Sequence, residues 1–471
     1  MMQRIFRRSP HAGHLRVLAS SLLLLGLAAV PESNRAAERP EIEKPNFIMI
    51  YCDDLGYGDL GCFGSKKHRT PNIDRLAEEG MKFTDFHVTS GVCTPSRSSL
   101  MTGCYPQRVD MHENQEGRHV FFPGDAKGLN PQETTVADIL KKAGYTTACV
   151  GKWHMGDQLP FLPTEHGFDE YFGIPFSNDM GQTARPDLKY PPLPLVQNKK
   201  VIEEEPDQAQ LTKRYTEVAS KFIREHQDEP FLLYLPHTFP HWPLYASEQF
   251  AGKSANGDYG DAIEELDWST GELMKLLEKL DLTEKTLIVF SSDNGAANRH
   301  GGSNDPLRGH KGSTFEGGMR VPMIARWPGQ VPAGTTCDQL CGTIDILPTF
   351  AKLAGEESPQ DVKIDGTDIW PQLAGDKEAK QPHRFYLYYK VRDLQAVRRG
   401  PWKLFLKQGE LYNLKRDRIE STDVAEDHPE IVEQLHKLAD RYRERLGDLE
   451  RQGSEKRPAA MVDNPKPLTS G

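Results

Sequence analysis

The sequence predicts an α/β fold, a mostly parallel sheet flanked by helices, followed by a smaller C-terminal α+β domain. Three observations carry this. Short apolar runs alternate with amphipathic helical patterns through most of the chain, the signature of a helix-flanked sheet. Polar clusters follow the ends of three separate apolar runs, where open α/β sheets place their ligand crevices. From about residue 384 the pattern changes to closely spaced short strands and one last helix.

The elements follow in order. Arg4, Arg7, Arg8 and Arg16 form a basic head before the apolar run Val17 to Val30, VLASSLLLLGLAAV, which reads as a signal peptide within residues 1–37. The run is too short for a confident membrane span and no other stretch is long and apolar enough, so the mature chain is expected to be exported and not an integral membrane protein. Asn46 to Cys52 reads as a buried strand running straight into Asp53-Asp54. Val136, Ile139, Leu140 and Ala143 give an i, i+3, i+4, i+7 helix face, with Gly144 as its stop and Tyr145 to Val150 as the next strand. Phe231 to Leu235 is a strand ending at Pro236-His237. Ile263, Leu266, Leu273, Leu277 and Leu280 mark a long helix. Leu287 to Phe290 is a strand that delivers Ser291-Ser292-Asp293-Asn294-Gly295, and Val321 to Trp327 is one more.

These elements place a main domain over 40–360. A polar, Pro/Gly-rich linker or wrapping segment occupies 361–383. An α+β subdomain over 384–450 has strands at Phe385 to Tyr389, Gln395 to Arg398 and Trp402 to Leu406, then a helix with Ile431, Leu435, Leu438, Tyr442 and Leu446 on one face. The polar residues 451–471 are expected to be a disordered tail.

The balance of 58 basic against 68 acidic residues excludes a nucleic-acid footprint, which needs a basic surplus or stripe. The seven cysteines are odd in number. If Cys93 has a special fate, the other six permit disulfides without fixing any connectivity; Cys337 and Cys341, in an extended strand, lie too far apart to bridge each other. The chain has no Asn-x-Ser/Thr sequon, which favours a bacterial periplasmic or secreted protein over a lysosomal one.

Two clusters carry chemistry. Asp53, Asp54, Asp293 and Asn294 offer only oxygen donors from two strand ends, a set suited to hard cations such as Ca²⁺ or Mg²⁺ rather than Zn²⁺. Arg97, Lys152, His154, His241 and Lys311 sit in Gly- and Pro-rich loops, and a metal with several cations suits a compact oxyanion such as sulfate or phosphate. Cys93 stands in GVCTPSRSSLMTG, a strange place for a reactive thiol in an exported chain.

CTPSRSSLMTG closely resembles the signature of the type I sulfatases, Cys-x-Pro-Ser-Arg followed by Leu, Thr and Gly at set spacing. PNFIMIYCDDLGYGDLGCFGS, TPNIDRLAEEGMKFTDFH, AGYTTACVGKWHMG, HTFPHWPL, SSDNG and RGHKGSTFEGGMRVPMIARWPG resemble the family's other segments, in the right order. GIPFSND at 173–179 is most similar to the arylsulfatase A and N-acetylgalactosamine-6-sulfatase branch. The resemblance runs from about Pro45 to Leu446 and implies an alkaline-phosphatase-like fold with a sulfatase domain over 40–360.

By the same resemblance, a formylglycine-generating enzyme would oxidise Cys93 to formylglycine, which hydrates to a geminal diol. One hydroxyl can attack sulfur; the other then expels sulfate as the aldehyde reforms, an exit that a serine ester lacks. Asp53, Asp54, Asp293 and Asn294 match calcium ligands. Arg97 and Lys152 match residues that hold the formylglycine hydroxyls, and His154 the base of the sulfate-releasing step. His241 and Lys311 match sulfate binders, one of which protonates the departing alcohol. Ser177 matches a residue near sulfate. His237 is the rival of His241, which fits better because Trp242-Pro243 follows it.

The expected activity is hydrolysis of a sulfate ester on a carbohydrate or an aryl group. The alternatives are a phosphatase or phosphodiesterase of the alkaline phosphatase superfamily, and a sulfate-ester-binding protein with Cys93 unmodified. KYPPLPLVQNKKVIEEE is expected to form a hairpin over the pocket.

Overall fold

Asn46–Cys52, buried at every position, is a central strand of a ten-stranded mixed sheet in the computed structural model, which describes residues 44–470. The signal-peptide reading therefore lies outside the described residues. Asn46–Cys52 pairs in parallel with Thr286–Ser292 on one side and Phe231–Pro236 on the other; Thr146–Val150 and Glu170–Gly173 continue the parallel order. Strands buried on both faces read as continuous apolar runs, which is why these were legible as strands. The flanks are mixed. Met323–Arg326 runs antiparallel between Thr286–Ser292 and Met81–Phe83, and Thr335–Cys337 closes that edge.

The hairpin Pro194–Gln197 and Lys200–Glu204 forms, but it extends the opposite edge of the sheet through Glu170–Gly173. It was expected to arch over the pocket. Leu195 and Val196 are wholly buried, so the hairpin follows its apolar residues into the sheet.

Helices cover the sheet. Leu211–Glu225 buries Leu211, Tyr215, Phe222 and Ile223, and Gly257–Lys279 buries Ile263, Leu266, Leu273 and Leu277. Val136–Lys142 starts in a capping box, with Thr135 accepting from the Asp138 N–H and the Asp138 carboxylate accepting in return. Among the described residues, no helix is long and apolar enough to cross a membrane.

The C-terminal sheet has four antiparallel strands, Tyr386–Lys390, Asp393–Arg399, Trp402–Phe405 and Leu411–Asn413, with the Pro429–Leu446 helix following. The described residues form one compact unit. A buried ionic network joins the two sheets. Lys403 donates to Thr314 O at 2.8 Å and to Glu316 at 2.9 Å, while Arg398 forks onto Asp85 at 2.6 and 2.9 Å. Asp85, His87 and Glu316 cluster closely enough to suggest a metal, yet Arg320, Arg398 and Lys403 already neutralise them.

Residues 451–470 differ from the expected disordered tail. Ala460–Met461 pairs with Lys127–Gly128, and Arg457 forks onto Glu133 at 2.7 Å. The polar side chains of this segment are spent on ion pairs with the main body, which polarity alone could not announce. All seven cysteines are unbridged.

Candidate active site

The parallel register sets the site. Cys52 lies opposite Ser292, so the residues that leave the two strand ends, Asp53-Asp54 and Asp293-Asn294, emerge side by side. The Asp54 N–H donates to Asp293 Oδ1 at 3.1 Å, and Asn294 Nδ2 donates to Asp54 Oδ1 at 2.7 Å. Asp54 adopts φ 64°, a left-handed turn that short polar side chains tolerate.

Cys93 opens a ten-residue helix, Cys93–Thr102, in which every residue is buried; Gly103, at φ 66°, ends it with its N–H on Ser99 O. The Cys93 Sγ–H donates to Asp53 Oδ1 at 3.3 Å. One turn later Arg97, wholly buried, donates to Asp293 Oδ2 from two nitrogens and to Lys152 O at 2.9 Å. Lys152 Nζ pairs with Asp53 and donates to Ser177 Oγ at 3.2 Å; Lys311 Nζ donates to Asp54 Oδ2 at 2.8 Å. Ligand atoms of Asp53, Asp54, Cys93 and His241 all lie within 4.8 Å of one another.

The two histidine rivals separate cleanly. His241 sits 3.3 Å from Ser177 Oγ and 3.9 Å from Asp54, and its Nδ1 meets Asn178 Oδ1 at 3.0 Å. His237 is buried away from these groups, against Tyr215 and Ser269. Asn178 was missed in the sequence. It is itself held by Gln208 and Pro243 O, so it fixes the ring of His241; its place beside Ser177 in GIPFSND was the only signal. His154, also buried, meets Phe121 O at 3.0 Å through Nε2. A carbonyl can only accept, so Nε2 carries the proton and Nδ1, which has no partner among the described residues, keeps its lone pair.

Electrostatics follow from burial and neighbours. Burial pushes the Asp53 carboxyl up, but Lys152, His241 and Arg97 outweigh it and hold Asp53 well below the usual range. Asp293 is pushed up to about 7, by burial first and then by Asp53. Burial, Asp293 and Asp53 drive the Cys93 thiol far above its ordinary value, so it is no thiolate nucleophile. Burial, with Lys152 adding, keeps His154 neutral.

The donor set suits a hard divalent cation. Three buried carboxylates converge, and the buried Asn294 Oδ1 has no partner among the described residues. Asn294 turns its Nδ2 to Asp54, and an oxygen-ligated cation among these carboxylates would take the unsatisfied Oδ1 of the same amide instead.

A family model described as Sulfatase matches residues 45–356, and one described as N-sulphoglucosamine sulphohydrolase, C-terminal, matches 310–448. The chain is 40% identical to arylsulfatase A of Homo sapiens over 415 residues, covering 83% of this chain and 79% of that protein. It is also 40% identical to N-acetylgalactosamine-6-sulfatase of Canis lupus familiaris over 400 residues, 81% of this chain and 74% of the other. Among solved structures, Ps i-CgsB superposes with a TM-score of 0.77 at 32% identity, over 88% of this chain and 95% of that one. With its strand-end carboxylates, its buried cysteine and these relatives, the chain belongs to the sulfatase family and is a sulfuric ester hydrolase.

Proposed function

We propose that the protein is an exported carbohydrate sulfatase that works through formylglycine at position 93 and one Ca²⁺ held by Asp53, Asp54, Asp293 and Asn294. The observation that carries this is the convergence of Cys93, Asp53, Asp54 and His241 within 4.8 Å, ringed by Arg97, Lys152 and Lys311. The thiol supports the reading by its inertness: buried between carboxylates, it makes a poor nucleophile as it stands.

Residue 93, once converted, supplies a hydrated aldehyde whose oxygens take the place of the Cys93 Sγ. The cation, when bound, supplies positive charge against the sulfate oxygens. The chain's own residues do the rest. Lys152 and Lys311 pair with Asp53 and Asp54; were a cation to hold those carboxylates, the two ammoniums would be free to bind the sulfate oxygens. Arg97, locked on Asp293, orients the helix that presents residue 93. His241, whose ring Asn178 aims, and Lys311 face the leaving oxygen, and one of the two supplies the proton that the departing alcohol takes. His154, neutral with Nδ1 open, takes the proton whose loss releases sulfate.

Carbohydrate is favoured over aryl sulfate by two similarities. One relative is named for N-acetylgalactosamine-6-sulfate chemistry, and the 32%-identical Ps i-CgsB is known in complex with k-i-k-neocarrahexaose. Export rests on the basic head and apolar run at the N-terminus. Sulfate release from sulfated mono- and oligosaccharides and from an aryl sulfate tests the reading, with protein made in the presence or absence of a formylglycine-generating enzyme. Turnover of sugars by modified protein alone is expected. Turnover of the aryl ester with every sugar untouched contradicts the carbohydrate assignment, and equal activity of unmodified protein contradicts the role of residue 93.

A further inference from the structure

A cleft of about 280 Å³ opens beside Lys311 where residues 90–92, 310–313 and 389–391 meet, with His119 at its edge. The volume is near the lower end for ligand pockets, about 300 Å³. It is built rather than incidental. The Gly312 N–H donates to Gly91 O at 2.7 Å, and Ser90 forms an isolated parallel bridge with Tyr389. A Cβ on Gly91 would lie 2.9 Å from Ser313 O, so the loop leading to Cys93 and the loop bearing Lys311 approach as closely as glycine allows.

The lining is basic in an acidic chain. Lys311, Lys390, His119 and His310 face the cleft and no carboxylate does, although the whole chain carries a net charge of −10. Only Lys311 has a place in the reaction chemistry. Lys390, His119 and His310 are exposed, and none forms an ion pair among the described residues. Partial burial lowers the His119 pKa, and Lys311 and Lys390 lower it further, which marks how close these cations stand. Lys311 has Asp54 as its partner, whereas Lys390 has no counter-charge among the described residues, and an unpaired cation on a wall that carries imidazole donors suits an anion.

Lys390 is also held in place at some strain. The next residue, Val391, has φ 56°, a genuine outlier for a β-branched side chain. The turn is pinned by Gln107 Nε2 donating to Val391 O at 2.9 Å and by Arg392 on Glu113 at 2.7 Å. Backbone strain over-determined in this way is typical of a ligand clamp. Val92, Tyr389 and Val391 add an apolar wall that suits the C–H face of a sugar ring.

We propose that this cleft takes the leaving-group side of the substrate and that Lys390, with His119 and His310, reads a second anionic group on it. The substrate is then a sulfated carbohydrate bearing a further sulfate or carboxylate near the scissile ester. This rests on the sulfate-ester site described above. A preference for two charges over one is the specificity the cleft confers, and Lys390 is its main determinant.

The test is steady-state kinetics with the full, formylglycine-bearing chain. The substrates are a monosulfated N-acetylhexosamine, its disulfated counterpart, a monosulfated disaccharide carrying a uronate, and p-nitrophenyl sulfate. At least about a tenfold preference in kcat/KM for a dianionic sugar over the monosulfated one is expected, as for one added charge contact. The disulfated sugar or the uronate, whichever wins, identifies the second anion. Lys390→Met should erase the preference through KM, Lys390→Arg should keep it, and both should leave p-nitrophenyl sulfate within about twofold, which also shows that they fold. His119→Gln should reduce the preference in the same direction. An absent preference in the parent, or a Lys390→Met loss equal on all four substrates, overturns the inference while leaving the sulfatase site intact. Failure of formylglycine-bearing protein on all four overturns both.

Discussion

Arg97 places two nitrogens on one oxygen of Asp293, at 2.8 and 3.0 Å, with neither side chain exposed to solvent. The pair ties the helix that begins at Cys93 to the end of the Thr286–Ser292 strand. Arg97→Met leaves Asp293 and Asp53 buried with one counter-charge fewer. At a pH well above 7, where Asp293 is ionised, breaking a buried pair in this way should cost about 3–5 kcal/mol in metal-free protein, read by denaturant unfolding. A loss under 1 kcal/mol would mean that the carboxylate is protonated and the pair is not ionic.

In the proposed reaction His154 would take its proton on Nδ1, because Nε2 is committed to Phe121 O. In His154→Gln, turnover should fall by about 10²–10⁴, the usual worth of a general base. Alcohol should still appear as a burst of one equivalent, since the base acts after the alcohol has left. A uniform loss with no burst would place His154 in an earlier step.

Chelation should act on stability as well as on rate. Removing the cation leaves Asp53, Asp54 and Asp293 crowded together, with only Arg97, Lys152 and Lys311 to balance them. Melting temperature and activity should both drop in excess chelator and both recover with Ca²⁺, whose saturation at 100 times Kd is worth about 2.7 kcal/mol. Recovery with Zn²⁺ but not Ca²⁺ would contradict the oxygen-donor assignment.

His166 provides a pH test outside the active site. It packs on Trp153 with both ring nitrogens unpartnered among the described residues, and burial lowers its pKa to about 4. The unfolded chain holds its proton below about 6.5, so the wild type contributes this stability fully above that pH and loses it as pH falls towards 4. His166→Leu escapes that loss. Its stability relative to wild type should improve by up to about 1.4 kcal/mol per pH unit on going from pH 6.5 to 4. A pH-independent difference would show that His166 is charged in the native protein.

The central sheet was legible because strands buried on both faces leave continuous apolar runs, and the convergence of the strand-end carboxylates because they follow two of those runs directly. Short strands such as Met81–Phe83, Thr335–Cys337 and Leu411–Asn413 are three residues long, too short for a period to register. The Cys93–Thr102 helix is buried on every side yet largely polar, so no apolar face betrays it. Residues 451–470 read as solvated because their partners, such as Glu133 for Arg457, lie hundreds of positions away. His241 could be preferred to His237 from its neighbours in sequence, whereas Asn178 emerged only when the chain brought it to the imidazole.

The most direct test of the whole account is the mass of the tryptic peptide Phe83 to Arg97, which carries residue 93, from protein made in its native host. The account predicts a peptide about 18 Da lighter than the cysteine form, the change from CH₂SH to CHO that creates the nucleophile. An unmodified thiol in protein that nonetheless hydrolyses sulfate esters would contradict it.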